Sequence, residues 1–407
     1  MKFCTLCSAI FVSLAIATQA GAQAPAAVSP AVQKDVIRIG LIFPLTGGSA
    51  DMGNSAHIGA QVALNEINEV GGYLGRKFEL VLRDDKADPD TGLMQAEDLV
   101  LKEKVAATIG FCNTGVAMKA LDVFQKNKHV LIVSCATGTP ITATYPAAAS
   151  YIFHTAAQDR IQTQFLLDEI VKRNLKKVAL LVDSTGYGNA GLKDLEAAFS
   201  QSGLKPHAVV RFKVGVKTLE DEIKQLKASG ADALIGWTVG AEQGVISASM
   251  RAAGWKVPQF GPWTLSNASA LASSGGAVEN ALMVQTVLPN QAMERNSSFL
   301  RGYAKLSKEK PLGSMMAASQ TYDSLHLLLR GIFGSKGDIS GPGIKAALEN
   351  LSQPYRGVVT TYDRPFSATD HNAISPNMLW LGTWHDGERS YAYAQDAARA
   401  TVIRRKQ

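Results

Sequence analysis

Val36-Ile37-Arg38-Ile39-Gly40-Leu41-Ile42-Phe43 runs into Pro44-Leu45-Thr46-Gly47-Gly48, and this stretch decides the fold class. An apolar run broken only by Arg38 and Gly40 is too short to span a bilayer. It is also too continuous for a strand with one wet face, so it reads as a strand covered on both faces, the habit of parallel sheets. After the turn, Ile58, Val62, Ile67 and Val70 recur at near-helical spacing until Gly71-Gly72 stops the helix. The same grammar repeats outward. A strand over 78–82 ends in Asp84-Asp85, and Asp88-Pro89 supplies an N-cap with proline at the first helical position. Further strands are predicted at 106–110, 130–133 and 152–153, then in a second series at 178–182, 209–214, 233–237 and near Phe260 and Met283. Helices dominate 299–351. The alternation predicts an α/β fold of two doubly wound parallel-sheet lobes, each of roughly five strands. Such sheets bind ligands at the carboxyl ends of their strands.

The chain has 407 residues, 46% hydrophobic and 19% charged, with only four cysteines. That excludes a disordered, collagen-like or disulfide-scaffold protein. Met1-Lys2, the apolar stretch 3–17 and Ala20-Gly21-Ala22 form the three parts of a secretory signal, so 1–22 is expected to be removed and 23–34 to be a flexible Pro/Ala-rich leader. The net charge of +6 is diffuse, and no Lys/Arg run exceeds Arg404-Arg405-Lys406, which argues against nucleic acid. Two cysteines leave with the signal. Cys112 and Cys135 remain at the ends of neighbouring predicted strands, and the sequence leaves open whether they pair or stay as buried thiols.

Signatures of chemistry are sparse. Gly186-Tyr187-Gly188-Asn189-Ala190-Gly191 matches G-x-G-x-x-G after a strand. However, Asp183-Ser184-Thr185 separates strand from glycine, and the next strand ends in Lys213 and Lys217 in place of an acidic ribose ligand. No nucleophile elbow, P-loop or zinc-protease helix is present, and the histidines lack metal-ligand spacing. We therefore expect no catalytic residues, no metal and no cofactor. What the first series carries at its strand ends is Thr46, Asn113, Thr114, Ala136 and Thr137, whose hydroxyls and free amides at helix mouths suit a small carboxylate. The second series offers Tyr187, Trp237 and Trp263, flat walls for closing over a ligand. Each taken alone is ordinary turn chemistry or packing; their division between two lobes is what suggests a hinged cleft.

From about Asp35 to Tyr393 the chain resembles the type I periplasmic solute-binding proteins of ABC transporters, in the branched-chain amino acid (Leu/Ile/Val) family. The resemblance rests on Ile39-Gly40-Leu41 leading to Pro44-Leu45-Thr46-Gly47, Ala63 with Ile67-Asn68 and Gly71-Gly72, and Gly75-Arg76. It continues through Asp84-Asp85 to Pro89, Ile109-Gly110, the Asp183 to Gly188 segment and Pro365-Phe366. It implies a three-strand hinge between lobes at 35–155 plus 288–355 and 156–287 plus 356–395, with a tail at 396–407. It also implies a monomer in the periplasm, a membrane permease as partner, and ligand capture by lobe closure.

By position, the resemblance makes Thr114 the hydroxyl and amide for the ligand carboxylate, Ala136 a backbone contact and Tyr187 the cover. Gly138 falls where a threonine is expected, so Thr137 or Thr139 substitutes or the contact is lost, and Met52 replaces an aromatic residue. Trp263, after Gly261-Pro262, stands where the family has a glutamate for the ligand's ammonium, and an indole does not neutralise that charge as a carboxylate does. With His154 and Trp237 this describes a neutral or slightly positive aromatic pocket. The expected ligand is a carboxylate without an α-amino group, an aromatic or keto acid. The alternatives are a branched-chain or other hydrophobic amino acid paired with an acid such as Glu242, a nucleotide-dependent enzyme using the Gly186 loop, and a sensor ectodomain.

Overall fold

The computed structural model describes residues 36–400 except 290–292 and 309–310, together with 402 and 404–406. The expected signal 1–22 and leader 23–34 lie outside the described residues. The chain from residue 36 builds two sheets. In the first, β1 (Ile37–Phe43), β2 (Phe78–Asp84), β3 (Ala107–Gly110), β4 (Leu131–Val133) and β5 (Ile152–His154) are all parallel in the order β2-β1-β3-β4-β5. Between them run α1 (Ala50–Glu69), α2 (Pro89–Glu97), α3 (Thr114–Lys126) and the single turn α4 (Pro140–Ala143). Asp88 caps α2, its carboxylate accepting from the Thr91 amide at 2.8 Å with Pro89 at the first position.

After α5 (Asp159–Lys172), the second sheet starts with β6 (Val178–Asp183), β7 (Ala208–Phe212), β8 (Ala233–Trp237), β9 (Gln259–Gly261) and β10 (Leu282–Gln285), mutually parallel. These strands are connected by α6 (Gly186–Gln201), α7 (Glu220–Ala228), α8 (Gly240–Ala252) and α9 (Ala268–Ser274). The chain then supplies α10 (Glu294–Ser307), α11 (Met315–Gly334) and α12 (Gly341–Glu349), which pack with α1 beside the first sheet. Gly59 of α1 lies against the α11 backbone; a Cβ there would stand 2.1 Å from the Ala318 carbonyl oxygen, so only glycine lets these helices touch.

A short pairing of β11 (Tyr355–Arg356) with β12 (Thr361–Tyr362), tied to Asp323 of α11 through the Val358 and Val359 amides, precedes the chain's return to the second sheet. There β13 (Trp380–His385) and β14 (Glu388–Tyr391) add an antiparallel edge, giving the order β14-β13-β10-β9-β8-β6-β7. The expectation of about five strands per series therefore holds for the first sheet and falls short by two in the second. The reason is local. Asp386-Gly387, with φ of 51° and 73°, makes a two-residue left-handed hairpin turn that needs no helix between its strands. The chain thus passes between the sheets three times, before α5, between β10 and α10, and between α12 and β13.

Both sheets reverse strand order beside their first strand, at β1/β3 and at β6/β8, and loops at such switch points are where a doubly wound sheet holds ligands. Cys112 and Cys135 are joined as a disulfide with Cα atoms 4.5 Å apart, tying the loop after β3 to the loop after β4. This settles the pairing that the sequence left open.

Candidate functional site

At the first switch point Asn113 leaves β3 in an extended conformation and α3 starts at Thr114. The Asn113 amide donates to Ser49 Oγ at 3.0 Å, while its Oδ1 is buried without a partner. The Thr114 hydroxyl accepts from the Gly138 amide at 3.2 Å. Glycine at 138 is required there, because a Cβ would stand 2.2 Å from Thr114 Cγ2. Of the two neighbouring threonines, Thr139 reaches sideways to Asp194 of α6 at 2.7 Å, whereas buried Thr137 faces the other lobe. The Ala136 carbonyl accepts from His154 Nε2 at 2.7 Å. Burial lowers the His154 pKa to about 4, so its ring is neutral at neutral pH, in keeping with the neutral arm of the expected neutral or slightly positive pocket. Thr46 is set apart from this group. It is exposed, donating to Asp84 at 2.7 Å in the turn after β1.

The second lobe contributes from its own switch point. Thr185 caps α6, accepting from the amides of Tyr187 and Gly188 and itself held by Asp183. This places Tyr187 in the first turn, with its ring centroid 5.9 Å from that of Trp237 at the end of β8. The three glycines of the G-x-G-x-x-G stretch are each claimed by packing. A Cβ would meet Gly115 Cα at 2.7 Å from Gly186, the Asp183 carbonyl oxygen at 2.1 Å from Gly188, and Trp237 Nε1 at 2.0 Å from Gly191. None of the three is needed to cradle a phosphate.

Trp263 follows β9 and is 1% exposed. Its backbone amide donates to Gln162 Oε1 at 3.2 Å, and its indole N–H crosses the seam to Thr137 Oγ1 at 3.3 Å. The structure therefore brings Thr137, Tyr187, Trp237 and Trp263 into one buried seam, with Thr114 and Ala136 on the adjoining loops.

Two residues of this seam were not read from the sequence. Asp159 opens α5 fully buried, with Oδ2 unpartnered, and burial raises its carboxyl pKa well above the usual range. Gln162, one turn on, holds the Trp263 amide. An aspartate in a first helical turn ordinarily serves the helix dipole, so residue type alone gave no signal. Burial likewise drives the Tyr187 phenol well above its ordinary pKa, with Asp159 adding to the shift, and its hydroxyl has no completed hydrogen bond. Glu242 lies elsewhere, accepting from the Gly215 amide at 2.7 Å, so it offers no ammonium partner to this seam.

Contacts on both rims hold the lobes together. On one rim Ser269 donates to Asp51 Oδ2 at 2.5 Å and the Ala268 amide to the Gly313 carbonyl at 2.8 Å; on the other, Gly115 meets Gly186 and Thr139 meets Asp194. Among the described residues, one set of side chains is spaced for a metal ion, Glu279, His385 and Asp386 at the β13–β14 turn, mostly exposed and outside the seam.

Comparison with known proteins agrees with this architecture. A family model described as "Periplasmic binding protein" matches residues 36–388. Leu/Ile/Val-binding protein homolog 3 of Brucella melitensis is 30% identical over 247 residues, covering 60% of this chain and 66% of that protein, just short of two thirds. Among solved structures, the branched-chain amino acid binding protein LivJ of Streptococcus pneumoniae in complex with isoleucine superposes with a TM-score of 0.75 at 24% identity. That match covers 87% of this chain and 98% of LivJ. A solute-binding protein of R. palustris in complex with benzoate gives 0.77 at 19% identity, covering 88% and 96%. At these identities the structural likeness establishes the fold.

Proposed function

We propose that this chain, which belongs to the periplasmic binding protein family in its type I branched-chain amino acid branch, receives a small carboxylate between its lobes as the solute-binding component of an ABC importer. Proteins of this family work in the periplasm and bind solutes without bond chemistry. We place the lobes at 35–155 plus 288–355 and 156–287 plus 356–395, the chain as a monomer exported through its N-terminal signal, and a membrane permease as its partner. Thr114, the Ala136 backbone and Thr137 face the ligand from one lobe, and Tyr187, Trp237 and Trp263 from the other, with Asn113 and His154 supporting the loops and Thr46 apart in the turn after β1.

The favoured ligand is an aromatic or keto acid without an α-amino group. One observation carries this reading: at the position after Gly261-Pro262 the seam presents the Trp263 indole, a hydrogen-bond donor and an apolar plate, in place of a carboxylate. Asp159, the buried acid that opens α5 in the seam, is held in an environment that favours its neutral form, and buried Asp183 is engaged in holding the Thr185 cap. A neutral carboxyl can donate to a ligand carboxylate, whereas an ammonium buried beside it would have to recruit its ionised form. The second reading is a hydrophobic amino acid, supported by the unpartnered Asp159 Oδ2, which would then take the ammonium.

A thermal-shift panel separates the two: benzoate, hydroxybenzoates and branched keto acids against leucine, valine and phenylalanine, on wild type and Asp159→Asn. A ligand at about 100 times its Kd adds about 2.7 kcal/mol. Stabilisation by amino-free acids that survives Asp159→Asn supports the first reading. Stabilisation by amino acids that Asp159→Asn abolishes supports the second.

A further inference from the structure

A cavity lies at the hinge, away from the seam. It encloses about 340 Å³ and draws its walls from the second and third passages between the lobes and from the C-terminal segment. Its floor is apolar and buried, with Val287, Met378 and Trp380 at 4%, 3% and 7% exposure. Asn296 of α10, 2% exposed, also lines it, and its Oδ1 has no hydrogen-bond partner. A buried amide oxygen left unpaired is costly, so an unpartnered one beside a cavity marks a place where a donor fits.

Charge completes the description. Arg356 and Arg404 both line the cavity, and among the described residues neither has a carboxylate partner within ion-pair distance. The Arg404 guanidinium lies over the Trp380 ring, 3.2 Å from its centroid, and donates to the carbonyls of Asn377 and Leu379. Burial, with the nearby Arg399, lowers its pKa against the opposing pull of Asp396 and Tyr391. The opposing charge among the lining residues is the single carboxylate of Glu294.

We propose that this hinge cavity is a second ligand site, for a small amphipathic anion: a carboxylate held between Arg356 and Arg404, with an aryl or branched acyl body on Trp380 and Met378. A hydroxyl on that body would satisfy Asn296 Oδ1. The cavity joins α10, which packs on the first lobe, to β13 and β14 of the second, so its shape changes with the angle between the lobes. A ligand held there binds one lobe angle better than the other and thereby shifts the closing equilibrium. The site does not depend on which solute the seam takes.

The test uses the full chain labelled with [13C]methyl methionine, titrated with 4-fluorobenzoate into the millimolar range, with the Met378 resonance assigned through Met378→Leu. The expected result is a saturable shift of the Met378 methyl whose midpoint moves about tenfold higher in Arg356→Gln. Arg356 is exposed, so its replacement leaves the fold intact. Arg404→Gln should weaken the response similarly. A Met378 resonance that does not respond, or that responds with an unchanged midpoint in Arg356→Gln, overturns the site.

Discussion

Ser269 at the start of α9 donates its hydroxyl to the carboxylate of Asp51 at the start of α1, 2.5 Å away, and so joins the two lobes at the rim of the seam. The Ser269 amide turns to the same oxygen at 3.4 Å. Neither residue belongs to the buried group around Thr137 and Trp263, so their bond acts on closure alone. A charge-assisted hydrogen bond of this kind contributes about 1.5–3 kcal/mol.

Ser269→Ala should therefore raise the ligand Kd by about tenfold through faster release while leaving the melting temperature of the unliganded protein nearly unchanged. Stopped-flow dissociation together with calorimetric Kd measures both. An unchanged off-rate would show that this rim contact does not hold the closed form.

The fit of Gly138 under Thr114 gives a second expectation. Gly138→Ala forces a methyl to within 2.2 Å of Thr114 Cγ2, so it should destabilise the protein by about 1–3 kcal/mol and weaken ligand binding by displacing Thr114. Thr114→Ser removes the clashing methyl and keeps the hydroxyl. The double variant should regain part of both losses, read from urea unfolding and ligand titration.

Four buried groups set opposing pH dependences. Burial raises Asp85 and Asp323 to about 7, above the ~3.9 of an unfolded aspartate, so the folded chain holds their protons more tightly and each makes stability fall as pH rises from about 4 to 7. Burial lowers His129 and His154 to about 4, below ~6.5, so each makes stability fall as pH drops across about 6.5 to 4. The two pairs oppose one another over the shared window. Asp85→Asn removes one of the aspartate contributions: melts should rise relative to wild type near pH 8, where Asp85 must be buried ionised, and match it near pH 4. A greater loss near pH 8 than near pH 4 would mean the ionised carboxylate is favoured in the fold.

The disulfide carries a further prediction. Cys112 and Cys135 close a loop of 23 residues' separation, for which chain entropy gives about 3 kcal/mol. Cys112→Ser with Cys135→Ser should lower unfolding stability by about that amount. It should also weaken ligand binding, because the bridge holds the Asn113–Thr114 loop against the Ala136–Thr137 loop.

Most of the parallel strands were legible because burial on both faces leaves a continuous apolar run, as in β1, β6 and β8, whereas the edge strands β2 and β7, only partly buried, were read from their place in the alternation with helices. The β13–β14 edge was not, although Asp386-Gly387 advertises a tight hairpin; the alternation of strand and helix before it set a rhythm that the chain leaves at its end. Strand-end residues were legible as a class, since switch-point loops are where small polar residues gather. Which of them meet was not. Thr46 and Thr137 look alike in sequence, yet one bonds Asp84 at the surface and the other accepts from Trp263 in the interior. Asp159 was invisible for the same reason, because only burial between lobes separates it from any other acid in a first helical turn. His154 reads as neutral or slightly positive until its burial is known.

The most direct test of the account is calorimetric titration of the full chain with leucine and with its α-keto analogue, which share the carboxylate and the branched side chain and differ in the α substituent. If Trp263 stands where the proposed reading puts it, in place of an ammonium partner, the keto acid should bind at least about tenfold more tightly. Tighter binding of leucine would contradict the account and make Asp159 the ionised partner of a bound amino acid.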